Sequence, residues 1–428
     1  MKPGRNFLIP LLLAILEATS AGADADLARS YLSGRENQSR KAPPSPGLLR
    51  SYEAGDNAAL PPDLADVAFV YDNALVLLAC IQDKSPESRA RAGNIAAAFV
   101  HAMTHDRYFQ DGRLRNAYSA ECLIDPQTGK TRLPGWWADG EARWREDRYQ
   151  AGTHTGNMAW VVIALSQYHR RFGGRQYKEA AVRLGNWIHA HTNDNGDGYR
   201  GGFEGWEPDP ERLPWKSTEH NIDVHAAFTW LHRITGDNAW KQRAASARRF
   251  VNAMWSGDHF LIGTKPDGRT PETGNPPLDA QAWAVLVFGG HGKALAWAER
   301  NCLVRRNGQL GFDFNTYRNG IWHEGTAHMA LAYRAVRACD KAAPLLDTLR
   351  AAQSCGPLGV GKGIAAAAPD HIVDTGLGWR YFPLPHIGAT AWYVLAEMGI
   401  NPFLGSRLPC PPADAPVTSA RRIDPCTP

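Results

Sequence analysis

The densest run of chemically able side chains is Trp215-Lys216-Ser217-Thr218-Glu219-His220-Asn221-Ile222-Asp223. Glu219 and Asp223 are four residues apart, so on a helix they share a face with one turn between them. Two such carboxyls raise each other's pKa, and one can stay protonated near neutrality as a general acid. Glycosidic cleavage needs that acid for the leaving oxygen and a second carboxylate as base or nucleophile. Other carboxylates stand in similar company: Asp72 beside Asn73, Asp279 near Gln281, and Glu324 with His323, Thr326 and His328. Asp279, Glu324 and Asp72 are the candidate partners of Glu219. An inverting reaction would set the two carboxyls roughly 6.5–9.5 Å apart, a spacing that neighbouring helices can supply. Helix capping explains any one Asp or Glu in a first turn. It does not require so much His, Asn and Thr beside them.

Groups that could hold a sugar lie in the intervening segments. His154, Asn157 and His220 accompany the acids. Trp137, Trp206, Trp215, Trp322, Trp379 and Tyr149 are rings able to stack on pyranose faces, and Arg148, with Arg113, Arg115 and Arg380, could hold an acidic sugar. Loop-against-loop packing is the bland alternative for each ring. Several together suggest several subsites, hence an oligosaccharide or polymer.

Other chemistries find little support. Lys+Arg 47 against Asp+Glu 43 gives a net charge of only +4, without the basic stripe of a nucleic-acid binder. There is no Gly-rich phosphate loop and no Gly-x-Ser-x-Gly elbow. The stretch from Asp194 to Gly198 resembles a calcium loop, but its twelfth position is Gly205 rather than Glu, so it reads as a turn. No Cys/His spacing suggests zinc. No cofactor and no metal are expected.

The elements that must carry these residues are helices. Segments with helical periodicity recur in pairs from residue 67: 71–82 with 87–104, 156–172 with 177–191, 218–235 with 239–255, 278–288 with 293–303, and 324–338 with 343–352. A last helix, 387–398, has no partner after it. The first of each pair is apolar, as in NMAWVVIAL, and the second carries Arg, Lys and Glu, as in YKEAAVRLGNWI. First helices should therefore be inner and second helices outer with one wet face. Short strands are expected only near 201–206 and 259–264. If the inner helices run parallel, their N-terminal ends converge on one mouth, and positive helix ends favour carboxylates there.

Residues 1–23 read as a signal peptide: Lys2 and Arg5, then the apolar FLIPLLLAIL, then Ala21-Gly22-Ala23. The protein is expected in the periplasm or outside the cell, without stable membrane insertion. Residues 24–66 read as an arm or linker with one short helix near 26–32, 67–403 as the catalytic domain, and 404–428 as a Pro-rich tail. Of seven Cys, Cys410 and Cys426 lie in the Pro-rich tail and could clip it, while Cys80, Cys302 and Cys339 read as small buried residues.

The strings VYDNALVLLA, DGRLRNAYSAE, TGNMAWVVIAL, KSTEHNIDVHAAF, LDAQAWAVL and HEGTAHMALAY resemble secreted bacterial proteins of the six-hairpin glycosidase-like superfamily. The resemblance implies an all-α (α/α)6 barrel with long functional loops at one mouth. It also implies a carbohydrate substrate, since such barrels include glucanases, glucuronyl hydrolases, polysaccharide lyases and epimerases. The leading expectation is a two-carboxylate glycoside hydrolase. The alternatives are a polysaccharide lyase using His154, Asn157, His220, Tyr149 and Arg148, or a non-catalytic sugar-binding toroid. An epimerase ranks lower, because an exported enzyme meets polymers more often than free sugars.

Overall fold

In the computed structural model, residues 28–33, 46–54, 60–354, 363–369 and 371–410 are described. The signal-peptide segment, Cys355 and Cys426 lie outside them. Six inner helices form a closed ring: α1 (Val70–Gln82), α3 (Thr155–Phe172), α5 (Thr218–Thr235), α7 (Leu278–Phe288), α9 (His323–Ala335) and α11 (Ile387–Met398). Each packs on the next, and α11 packs back on α1. Between them in sequence run the outer helices α2 (Pro86–Thr104), α4 (Arg175–Thr192), α6 (Asn238–Ala253), α8 (Gly292–Asn301) and α10 (Cys339–Ser354). The architecture is thus the expected α/α toroid, whose β structure among the described residues is short two-stranded pairs and one three-stranded sheet of Thr153–His154, Gly202–Glu204 and Glu211–Leu213.

Burial follows composition. In α7 every residue from Leu278 to Leu286 is buried, as an inner helix apolar all round must be. In α4, Leu184, Trp187 and Ile188 face inward while Lys178 and Arg183 stay out. Residues 28–33 are helical, with Ala28 and Leu32 in the main core and the Ser33 carbonyl accepting from Arg91 of α2. Tyr31 of this helix lies beside Gly363, on the segment leading into α11.

Two hydrogen-bond patterns repeat six times. The first N–H of each inner helix donates to the loop of the next hairpin: Val70 to Asn116, Thr155 to Gly201, Thr218 to Ile262, Leu278 to Phe314, His323 to Ala366, and Ile387 to Ser51. The fourth side chain of each inner helix accepts a backbone N–H from the segment leading into it: Asn73 from Leu49, Met158 from Leu114, Asn221 from Tyr199, Gln281 from Phe260, Thr326 from Phe312 and Thr390 from Ile364. Helix starts leave unpaired N–H groups, and buried ones require partners. Much of the Asn, Gln and Thr company of the acids therefore latches loops. Residues 46–54, expected as part of an arm, supply both kinds of bond and close the ring.

Three further differences have local causes. α9 stops at Ala335 because Arg337 turns into the left-handed region at φ 63°. Leu303–Arg306 and Gln309–Phe312 form a hairpin across Asn307-Gly308, both with positive φ, as a tight primed turn requires. Cys410 is bonded to Cys339 at the start of α10, which corrects the expected Cys410–Cys426 clip and the expected free Cys339. The chain after α11 doubles back through the pair Ile400–Asn401 and Ser406–Arg407, which carries Cys410 to α10. Cys80 and Cys302 are free and buried. No helix among the described residues is long and apolar enough to cross a membrane.

Candidate active site

The second residue of each inner helix, taken round the ring, reads Tyr71, Gly156, Glu219, Asp279, Glu324, Gly388. Three carboxyls on consecutive helices form one arc, and two glycines flanking a tyrosine form the other. The glycines make room. A methyl on Gly156 would lie 2.5 Å from Cδ2 of His220, and one on Gly388 would lie 2.6 Å from Oδ1 of Asp72.

One turn down, the sixth residues Leu75, Trp160, Asp223, Trp283, His328 and Trp392 form a largely aromatic layer. Trp160 and Trp283 lie 5.4 Å apart by ring centres, Trp160 and Trp392 5.7 Å, and Phe403 plugs the layer at 4.6 Å from Trp160. This floor is why the carboxyls above it are dry.

Glu324 is 2% exposed. Burial pushes its pKa up to about 7, against the counter-effects of His386 and of the Tyr71 hydroxyl, which donates to Oε1 at 2.5 Å. Trp392 donates its indole N–H to the same hydroxyl at 2.9 Å, orienting it. Burial likewise pushes Asp279 up to about 7, while the Ala280 N–H opposes the shift. Glu219 is partly exposed. Its carboxyl is held well above the usual range by desolvation, then by the charges of Asp279 and Glu324. Asp223 is fully buried and raised by desolvation, then by Glu219 and Asp279. No hydrogen bond of normal geometry reaches either of its oxygens, although the Trp160 indole is near enough to favour its ionised form.

Asp72 is engaged elsewhere. The Ala389 N–H donates to Nδ1 of His386, which leaves the proton on Nε2, and Nε2 donates to Oδ2 of Asp72 at 3.0 Å. Tyr52 stacks on the His386 ring at 4.4 Å. Asp72 is therefore the orienting partner of a histidine. His386, which the sequence reading did not single out, is the N-cap of α11, as His154 is of α3 and Ser217 of α5.

On the glycine side, Asn157 donates to the Tyr149 hydroxyl at 3.1 Å and to Asn116 Oδ1 at 2.8 Å. Asn116 also accepts the His154 N–H and donates to the Tyr149 carbonyl, so it organises this corner. His154, Trp215 and His220 form a triangle with ring centres 5.5–6.0 Å apart. Burial lowers His154 to about 3 and His220 to about 4, so both are neutral at pH 7. Nε2 of His154 and Nδ1 of His220 have no hydrogen-bond partner among the described residues.

The remaining candidates separate. Trp137, Trp206 and Trp379 are exposed, as is part of the Tyr149 ring. Trp322 is 1% exposed and stacks on Tyr381, so it is wall rather than platform. Arg148 is an exposed partner of Glu204 and Glu211. Arg113 pairs with Asp111, Arg115 with Asp106 and Glu207, and Arg380 with Asp374. In the calcium-like loop the cation is Lys216, whose ammonium reaches Asp194 Oδ1 at 3.0 Å and the Asp197 carbonyl at 2.8 Å.

No protein-family profile matches the sequence, and no curated protein matches it significantly. Solved structures do match. A glutamate-to-alanine glycosidase variant in complex with glucose aligns at TM-score 0.57 and 13% identity over 88% of this chain and 97% of that one. Cellobiose 2-epimerase from Spirochaeta thermophila aligns at 0.59 and 14% over 92% and 98%. A D-mannose isomerase aligns at 0.61 and 11% over 88% and 97%. These structures share the fold of this chain, a toroid of paired α-helices.

Proposed function

We propose that the protein is a carbohydrate-processing enzyme, and specifically a glycoside hydrolase in which Glu219 is the general acid and Glu324 the base or nucleophile. One observation carries this reading. Glu219 is the partly exposed member of an arc of three carboxyls, and desolvation, then the charges of Asp279 and Glu324, shift it toward its protonated form. A protonated carboxyl can give its proton to a leaving glycosidic oxygen. Glu324 sits two inner helices away, titrates near neutrality, and accepts from Tyr71, which favours the ionised form a base needs. Asp279 between them is the alternative base, and after desolvation its charge is the largest influence holding the pKa of the acid up. The glycosidase among the structural matches supports the substrate class, and its solved variants replace glutamates and a tyrosine, the residue types in contact here.

A second reading is favoured by the neutral pair His154 and His220, each with an unpartnered ring nitrogen. Such imidazoles suit proton transfer at a sugar carbon, as epimerisation or isomerisation requires. The lyase reading is weaker, because the arginine that would neutralise a uronate is already paired. Incubation with neutral and acidic oligosaccharides, followed by mass and reducing-end analysis, separates these chemistries. New reducing ends support hydrolysis. An unsaturated, ultraviolet-absorbing product, or an inverted centre without chain cleavage, overturns it.

A further inference from the structure

We propose that the sugar unit seated at the carboxyl arc is uncharged, and that the site rejects sugars bearing a carboxylate, sulfate or phosphate. The inference rests on the reading of this mouth as the active site, but not on which reaction occurs there. Its first support is the placement of cations. Arg113, Arg115, Arg148 and Arg380, the four loop arginines suited by sequence to an acidic sugar, each form ion pairs with carboxylates of their own loops or of adjoining ones. Arg200 and Lys216 share Asp194 in the same way. Recognition of an anionic sugar needs a donor fork or an ammonium aimed at it, and these groups are already committed.

The second support is the lining itself. Glu219, Asp279 and Glu324 stand on one arc with Asp223 below them, and the two imidazoles opposite are neutral at pH 7. Asp279 and Glu324, each pushed up to about 7, are partly ionised at pH 7, so an incoming anion would meet like charge from them in a buried setting, which opposes binding. A third, independent feature points to hydroxyls as the complementary groups. The oxygens of fully buried Asp223 have only the nearby Trp160 indole beside them, and the indole nitrogen of Trp283 and one ring nitrogen each of His154 and His220 lack a hydrogen-bond partner among the described residues. Acceptors and donors of this kind match sugar hydroxyls or the waters that bridge to them.

The test is direct binding to the full-length protein by calorimetry at pH 7, using matched monosaccharide pairs: glucose and glucuronate, galactose and galacturonate, mannose and mannuronate. Monosaccharides have no interunit bond to cleave, so the readout is independent of hydrolysis. Loss of hydrolysis with neutral binding intact would sink the hydrolase reading alone. The best neutral sugar should bind at least about tenfold more tightly than its uronate partner, the scale expected of like-charge rejection. Asp279→Asn should narrow that gap. A uronate that binds as tightly as its neutral partner, or failure of every neutral member to bind at millimolar concentration, overturns the proposal.

Discussion

At the scale of single residues, the site depends on which carboxyl meets which neighbour. The Tyr71 hydroxyl lowers the pKa of Glu324, opposing burial. Tyr71→Phe should therefore raise it and move the acidic limb of the kcat/KM profile to higher pH. A profile that does not move would remove Tyr71 from the mechanism. Asp279 makes a prediction about stability. Its pKa rises from 3.8 to about 7 on folding. Such a group contributes stability that is complete below the unfolded pKa and is lost as pH rises through about 7. Asp279→Asn removes that loss. Relative to the parent, the variant should gain on the order of 2 kcal/mol between pH 5 and pH 8. Chemical denaturation at the two pH values measures it, and an equal offset at both would contradict the burial argument. His154 and His220 act in the opposite sense, since their lowered pKa values cost stability as pH falls below about 6.5. Glu219, Asp279 and Glu324 were legible in the sequence as acids opening apolar helices. The orienting roles of Asp72 and Asn116 were not, because each depends on a partner far away in the chain.

At the scale of elements, the inner helix is the repeating unit, and its second, fourth and sixth positions have separate tasks. The alternation of apolar and charged helices made inner and outer layers readable before any contact was known. The latches were not readable, because Asn73, Met158, Asn221, Gln281, Thr326 and Thr390 share a position while their accepting groups range over amide, thioether and hydroxyl. The hairpin at Asn307-Gly308 did carry a local signal in its Asn-Gly pair. It was obscured because a helical pattern could be continued through Leu303. A latch can be tested by Asn221→Ala, which strands the buried N–H and carbonyl of Tyr199. The cost should be about 1–3 kcal/mol for groups left unsatisfied. Urea unfolding reads it, and a change below the error of the midpoint would count against the latch.

At the scale of the whole molecule, closure joins the two ends of the chain. Ser51 and Leu49 serve the ring from the N-terminal side, and Cys339–Cys410 fixes the returning C-terminal segment. Sequence reading placed 24–66 outside the barrel because that stretch is polar and Pro-rich, and composition does not report that Leu48 and Leu49 are buried. The disulfide spans 71 residues. Breaking it by Cys339→Ser should cost about 2–4 kcal/mol, read as a lower Tm that reductant no longer shifts. A structural disulfide suits an oxidising compartment, which supports the proposal of export with cleavage near Ala23. N-terminal sequencing of protein recovered from outside the cytoplasm checks that proposal, and an intact Met1 there would contradict it.

The central claim is that Glu219 supplies the proton. Glu219→Gln keeps size and hydrogen bonding but removes that proton, and Glu324→Gln is the direct comparison. The measurement is kcat of both variants on whichever oligosaccharide the parent cleaves, with Tm and ligand affinity measured alongside. The account predicts a loss of at least about a hundredfold in kcat for Glu219→Gln, the lower end of general acid catalysis, with Tm and affinity unchanged. Near-full activity in Glu219→Gln with a dead Glu324→Gln would move the acid to Glu324, and near-full activity in both would contradict the two-carboxylate mechanism.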